Sequence, residues 1–124
     1  MNNVLLVALG GSIGAVLRYL LSIFMIQLFG SSFPFGTLIV NILGSFLMGV
    51  VYALGQLSHV SPELKALVGV GLLGALTTFS TFSNETLLLM QEGLWHKAIL
   101  NVLLNVTLCL LMVYIGQQLV FSRV

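Results

Sequence analysis

Apolar residues run along this chain in four long stretches, which short polar or glycine- and proline-containing segments separate. A helix needs about 20 apolar residues to cross the hydrocarbon core of a bilayer. The pattern predicts membrane-spanning helices over about residues 4–29, 36–57, 62–91 and 98–121. The sequence therefore predicts an all-α integral membrane protein, with one transmembrane domain over residues 1–124 and little chain outside the bilayer.

The segments between the stretches carry helix start and stop signals. Glycine and proline in Gly30-Ser31-Ser32-Phe33-Pro34 end the first helix. A loop begins at Ser58, and Ser61-Pro62-Glu63 predicts an N-cap followed by proline at the first position of the third helix. Glu92 to Lys97 is predicted to be an interfacial turn, where Trp95 suits the headgroup region. Four spans place both termini on the same side of the membrane.

The third stretch changes character in its middle. Gly69, Gly71 and Gly74 are followed by hydroxyl and aromatic residues. Each glycine weakens a helix by about 1 kcal/mol relative to alanine, whereas Thr and Ser can cap a new helix start. We therefore predict a break in this helix near residues 74–78.

Composition excludes several classes of protein. Charged residues make up 6% of the chain, against about a quarter in soluble domains. The charges are Arg18, Glu63, Lys65, Glu85, Glu92, Lys97 and Arg123. These predict neither a basic nucleic-acid face nor an acidic metal cluster, and no nucleophile–base pair indicates an enzyme. The Met-Asn-Asn start lacks a basic signal region, so we expect the first span to be retained.

Positive charges flanking the spans are nearly balanced. Lys65 and Arg123 lie on the side of the termini and Lys97 on the other. Because this bias is too small to orient the chain strongly, it permits insertion in both directions. Two copies in opposite orientation can then pair as an antiparallel dimer.

Two features of the first span are unusual for a lipid-facing helix. Gly10 and Gly14 share one face and predict close helix packing. Arg18 is costly within a span unless it snorkels, pairs or lines a wet cavity. Glu85 is the intramembrane anion that can serve as its partner.

Polar stripes mark the second and fourth spans. Thr37, Asn41 and Ser45 recur every four residues, which indicates either hydrogen bonds between helices or a transport path. In the fourth span Asn101 and Asn105 begin a similar stripe. It continues through the lone Cys109, interpreted as a small apolar residue, and Val113, so its polarity stops halfway.

Phe79 and Phe82 share a helical face in the third span, where packing is one interpretation of the pair. A phenyl ring edge also carries positive electrostatic character that an anion can contact. Hydroxyl donors surround the pair, namely Thr77, Thr78, Ser80, Thr81 and Ser83. Carbonyl oxygens freed at a helix break have the opposite polarity and suit a cation such as sodium.

Three motifs together resemble the Fluc (CrcB) fluoride channels. They are Gly10-Gly11-x-x-Gly14-x-x-x-Arg18, Gly36-Thr37-Leu38-x-x-Asn41 and Gly74-x-x-Thr77-Thr78-Phe79-Ser80-Thr81-Phe82-Ser83. The resemblance implies an antiparallel dual-topology homodimer with two fluoride pores and a structural Na⁺ at the dimer interface. It also implies passive export of toxic fluoride from the cytoplasm across the bacterial inner membrane.

The same resemblance assigns residues to roles. The implied fluoride pathway consists of Arg18, Asn41, Phe79, Ser80, Thr81, Phe82 and Asn105. The carbonyl groups of Gly74 and Thr77 are implied to hold sodium. The chain departs from the family at Cys109, where a serine is usual, at Val113, where relatives carry threonine, and at Ala75, which replaces a common glycine.

Two other functions stay open from the sequence. A small dual-topology multidrug or guanidinium exchanger also has four spans, but it needs an embedded carboxylate in the first span, where this chain has Arg18. Glu85 keeps that alternative open. A structural subunit of a larger complex would explain the glycines but not the pattern of phenylalanine and hydroxyl residues.

Overall fold

The computed structural model describes residues 2–57 and 59–123. Within these ranges all regular secondary structure is helical. Ser58, where the second loop is predicted to begin, lies outside them. The helices are α1 (Asn3–Phe29), α2 (Phe35–Gln56), α3 (Pro62–Leu64), a π-helix π1 (Lys65–Leu73), α4 (Gly74–Leu76), α5 (Ser80–Gln91) and α6 (Trp95–Phe121).

Four helical segments are long and apolar enough to cross a membrane. They are Asn3–Phe29, Phe35–Gln56, Pro62–Gln91 and Trp95–Phe121. The third consists of α3, π1, α4 and α5. The prediction of an all-helical protein with four membrane spans is confirmed.

Side-chain caps begin two of the spans. The Asn2 side chain accepts a hydrogen bond from Val4 N–H at 2.8 Å. The Ser61 hydroxyl accepts one from Leu64 N–H at 3.2 Å, and Pro62 occupies the first helical turn. The predicted N-cap of the third span is therefore confirmed.

The turn between the third and fourth spans is shorter than predicted. Gly93 has a φ of 78°, and its N–H donates to the Met90 carbonyl while Leu94 N–H donates to the Leu89 carbonyl. This pair of bonds is a Schellman motif, which closes a helix within one or two residues. The fourth span therefore begins at Trp95 instead of Ala98, and the predicted turn over residues 92–97 is wrong in its second half.

Glycine allows the helices to approach one another closely. A Cβ added to Gly14 on α1 would overlap the backbone carbonyl of Leu72 on π1. In the second pair, α2 and α6, a Cβ on Gly49 would overlap the Val113 carbonyl, and one on Gly116 would overlap the Phe46 carbonyl. The predicted packing role of the glycines in the first span is confirmed, and glycine serves both helix pairs.

Three non-helical residues, Thr77 to Phe79, lie between α4 and α5. Thr77 is extended, with φ −84° and ψ 156°, and both its N–H and its hydroxyl donate to the Leu73 carbonyl, at 3.1 and 3.0 Å. Buried Leu76 anchors the end of α4 in the apolar core with Val40 and Leu73. Thr78, which follows Thr77, contacts Asn41 on α2.

Candidate functional site

The side chain of Asn41 replaces the hydrogen bonds that Thr78 would make inside a helix. Asn41 Oδ1 accepts from Thr78 N–H at 2.8 Å, and Asn41 Nδ2 donates to the Thr78 carbonyl at 3.1 Å. The same Nδ2 also donates to Asn105 Oδ1 at 3.0 Å. Asn41 therefore holds the Thr77–Phe79 segment against α2 and α6.

A chain of buried polar side chains continues from Asn105. Asn105 Nδ2 donates to the carbonyl and side-chain oxygens of Asn101, at 2.9 and 3.1 Å. Asn101 Nδ2 donates to Thr86 Oγ1 at 2.9 Å, and Thr86 Oγ1 donates to the Phe82 carbonyl at 2.7 Å. Because Asn101 and Thr86 are buried, these bonds form in a low-dielectric surrounding, where they are strong. The chain fixes the backbone that carries Phe82.

Phe79 and Phe82 form a tilted aromatic pair. Their ring centroids lie 5.5 Å apart and the ring planes are inclined by 54°. Phe82 is 8% exposed, whereas Phe79 is 78% exposed. Thr78 Oγ1 accepts from Thr81 N–H at 3.1 Å and lies 3.3 Å from Ser80 Oγ, so Thr78 caps the first turn of α5.

The aromatic pair lines a cavity of about 410 Å³, here called the Phe cavity. Its other lining residues include Asn41, Ser45, Asn105 and Cys109. No charged side chain lines this cavity among the residues described by the structure. Four of the predicted pathway residues, Asn41, Phe79, Phe82 and Asn105, are therefore brought together around one uncharged space.

A second cavity of about 460 Å³, the loop cavity, lies beneath the loop between α1 and α2. Thr37, Thr81 and Glu85 line it, and Lys97 Nζ donates to the Ser32 carbonyl at 3.2 Å across one edge. One oxygen of Glu85, Oε1, is buried without a donor from any residue in the described ranges. Because Thr37 lines the loop cavity and Asn41 the Phe cavity, the polar stripe of α2 runs from one cavity to the other.

The structure separates two of the predicted pathway residues from these cavities. Arg18 lines neither, and its Nε donates to the Ala75 carbonyl at 3.1 Å. Across the described part of the chain, no ion pair joins Arg18 to Glu85. Arg18 thus satisfies a carbonyl at the C-terminal end of α4, where the helix dipole is negative. Ser80 is exposed and outside both cavities, and Thr81 lines only the loop cavity.

Two carbonyl groups at the same helix end have no donor. No N–H or hydroxyl of residues 2–57 and 59–123 lies within hydrogen-bond distance of the Gly74 or Thr77 carbonyl oxygen. Gly74 is also exposed on the surface of the chain. The same ranges contain no cluster of three His, Cys, Asp or Glu side chains for a metal. Free carbonyl oxygens are suitable ligands for a hard cation, so this pair fits Na⁺.

The predicted capping of a new helix by Thr or Ser is borne out by Thr78, but sequence reasoning missed the contribution of Thr86. Thr86 lies four residues after Phe82 on α5, which is the spacing at which a hydroxyl reaches a backbone carbonyl within a helix. Its link to Asn101 depends on how α5 packs against α6. The spacing therefore predicts the bond from Thr86 to the Phe82 carbonyl. The bond between Thr86 and Asn101 is seen only in the folded chain.

Residues 5–117 match the family described as CrcB-like protein, Camphor Resistance (CrcB). A protein of Shewanella frigidimarina (strain NCIMB 400) named "Fluoride-specific ion channel FluC" is 90% identical over 124 residues, covering 100% of both chains. Proteins with the same name from Shewanella sp. (strain ANA-3) and Shewanella baltica (strain OS185) are 85% and 83% identical over 124 residues, also with 100% coverage of both chains. This chain therefore belongs to the CrcB-like family.

Proposed function

We propose that this protein is a passive, fluoride-selective channel that exports fluoride from the bacterial cytoplasm across the inner membrane. The observation that carries the proposal is the Phe cavity, in which two phenyl rings and two asparagines surround an uncharged space within the membrane-spanning part of the chain. The Shewanella relatives are named for the same ion.

Fluoride enters such a space by exchanging its hydration shell for protein donors. Ring edges, amide N–H groups and hydroxyls supply positive electrostatic contacts to a small anion. Since no Lys or Arg lines the Phe cavity in the described ranges, the anion is not trapped by a fixed charge and can leave. The membrane potential acts on each charge with about 2.3 kcal/mol per 100 mV and drives the anion outward.

Individual residues take distinct roles in this proposal. Phe79 and Phe82 present ring edges to the ion, and Thr81 offers it a hydroxyl in the loop cavity. Ser80, exposed at the start of α5, would offer its hydroxyl only once a second copy encloses this surface. Asn41 and Asn105 line the path and position its backbone through their hydrogen bonds. Arg18 acts indirectly, by holding the end of α4 through the Ala75 carbonyl.

A broken third span is part of the proposed ion path. It is supported by the end of α4 at Leu76 and the start of α5 at Ser80, close to the predicted break at residues 74–78. The hydrogen bonds from Asn41 to Thr78 support it as well. Such a break turns the N-terminal end of α5, with its positive partial charge, towards the anion.

An antiparallel, dual-topology homodimer is proposed as the functional assembly. Phe79, Ser80 and Gly74 are exposed on the subunit near the middle of the third span. Lipid cannot satisfy the free carbonyl of Gly74, so we infer that a second protein surface covers this region. The balance of Lys65 and Arg123 against Lys97 supports a partner in the opposite orientation.

A structural sodium ion is proposed at the Gly74 and Thr77 carbonyl groups. When bound, the ion supplies positive charge to the Gly74 and Thr77 carbonyl oxygens, which accept no hydrogen bond from the described residues. Arg18 serves only the neighbouring Ala75 carbonyl. Carbonyl oxygens from an opposed second copy would complete its ligand set. The role of this site in the proposal is to hold the dimer together, apart from the ion path.

The test is flux from liposomes that contain the purified dimer and a potassium gradient. We expect a fluoride electrode to record efflux once a potassium ionophore shunts the membrane potential, and chloride-loaded vesicles to retain their anion. An exchanger would instead need an opposing proton gradient for net transport. If the folded dimer passes no fluoride in the presence of the potassium ionophore, the channel proposal is wrong.

A further inference from the structure

Ser45 lies four residues after Asn41 on α2 and lines the Phe cavity. In this part of the cavity the lining residues from α6 are Cys109, Leu110 and Val113. A thiol is a weak donor, and the other two side chains have none. In the part of the cavity beyond Asn41 and Asn105, the helical residue that offers a hydroxyl is therefore Ser45 on α2.

The Ser45 hydroxyl makes no hydrogen bond with any residue in the ranges that the structure describes. Hydroxyls elsewhere in these helices are used differently. Ser12 donates to the Ala8 carbonyl at 2.8 Å, Ser83 to the Phe79 carbonyl at 2.8 Å, and Thr107 to the Leu103 carbonyl. Such bonds to the preceding turn are the usual way for a helix to satisfy a hydroxyl away from water.

A hydroxyl in a membrane span that has no hydrogen-bond partner raises the free energy of the folded protein. Ser45 is half-buried, has no protein partner in the described ranges and adjoins the cavity that holds the two phenylalanines. We propose that Ser45 Oγ donates a hydrogen bond to fluoride in the part of the Phe cavity beyond the asparagines. This inference rests on the proposed function and extends the ion path along α2 to a residue outside the predicted pathway.

The proposal is tested by fluoride flux per folded dimer for Ser45→Ala, with Ser45→Thr as the conservative variant. Loss of one hydrogen bond to the ion should lower flux about tenfold in Ser45→Ala, whereas Ser45→Thr keeps the hydroxyl and should retain most of the flux. Ser12→Ala is the matched control, because its hydroxyl is committed to Ala8 and lines neither cavity. Adding Cys109→Ser to Ser45→Ala restores a hydroxyl from the opposite helix and should recover part of the flux.

The outcomes separate this inference from the function on which it rests. Wild-type flux in Ser45→Ala, measured beside a conducting wild type, overturns the inference and leaves the channel intact. An equal loss in Ser45→Ala and Ser45→Thr shows that the serine fills space and also overturns it. Wild-type protein that does not conduct overturns the channel itself. Elution as a dimer and an unchanged thermal midpoint show that Ser45→Ala acts on the ion and not on folding.

Discussion

At the residue scale, Phe79 and Phe82 are chemically identical but differ in what covers them. Phe82 is 8% exposed and its carbonyl accepts from Thr86, whereas Phe79 is 78% exposed. Contacts within the chain therefore cover the Phe82 ring, whereas the Phe79 ring would be covered only by the second copy of the proposed dimer. Both rings nevertheless border the Phe cavity.

We expect Phe79→Ile and Phe82→Ile each to reduce fluoride flux at least about tenfold while the dimer survives. Isoleucine keeps much of the apolar volume but lacks the positively polarised ring edge, and a volume-conserving swap costs less than about 1.5 kcal/mol of stability. Flux is measured with a fluoride electrode on protein that still elutes as a dimer.

Phe24→Ile provides the control for these two changes. Phe24 is a half-exposed phenylalanine on α1 and borders neither cavity, so its replacement should leave flux unaltered. If Phe79→Ile and Phe82→Ile conduct as well as Phe24→Ile does, the two rings are packing residues and the ion takes another route.

At the element scale, α1 offers a matched pair of glycines with opposite surroundings. A Cβ on Gly14 would overlap the Leu72 carbonyl, whereas a Cβ on Gly11 would have its nearest neighbour, the Gly71 carbonyl oxygen, at 3.8 Å. The backbone of π1 cannot yield to Gly14→Ala without moving the whole helix. An alanine at Gly11, in contrast, meets ordinary van der Waals space.

We predict that Gly14→Ala destabilises the protein by about 1–3 kcal/mol, because the clash separates α1 from π1. Gly11→Ala should be neutral or stabilising by up to about 1 kcal/mol, since alanine is the better helix former. The apparent melting temperature of the detergent-solubilised dimer reports both. Equal melting temperatures for the two variants would contradict the close approach of α1 and π1.

The elements differ in how much the sequence reveals about them. Long apolar runs predict four spans because bilayer thickness alone sets their length, and Ser61-Pro62 marks a helix start through local chemistry. The polar residues on both sides of Gly93 predict a longer turn than the chain has. The Schellman motif closes the turn through backbone bonds that composition does not reveal.

The site was predictable where its chemistry is local. Phe79 and Phe82 stand three residues apart on one helix, and Asn41 marks a polar stripe, so both appear as patterns in the sequence. The bonds from Asn101 to Thr86 and from Asn41 to Thr78 join different helices. They depend on how those helices pack, which no spacing within one element encodes. Arg18 likewise has a partner, Ala75, that its own sequence surroundings do not indicate.

At the scale of the whole molecule, the two ends of the bundle carry few and nearly balanced charges. Lys65 and Arg123 lie at one end, and Lys97 is tied to the Ser32 carbonyl at the other. A chain with so little bias gives the insertion machinery no strong preference. The proposed dual topology therefore predicts a population of copies in both orientations.

We expect single cysteines at Ser31 and at Ser122, in a Cys109→Ser background, to be labelled equally by an impermeant maleimide added to intact bacteria. The two exposed serines lie at opposite ends of the bundle, so a dual-topology population presents each of them on the outside in about half of its copies. Labelling after cell lysis gives the total for each position. Full labelling at one position and none at the other would establish a single orientation.

The glycine contacts also predict which mutations a genetic screen for loss of function in this protein will recover. Gly14, Gly49 and Gly116 each have a neighbouring backbone atom inside the space that one methyl group would fill, and none of them lines either cavity. In bacteria selected for growth on toxic levels of fluoride, alleles at these codons should be lost alongside those at Phe79 and Phe82. Mutations that abolish resistance would thus mark the α1–π1 and α2–α6 contacts as well as the proposed ion path. The amount of protein that each mutant expresses would distinguish packing mutations from ion-path mutations.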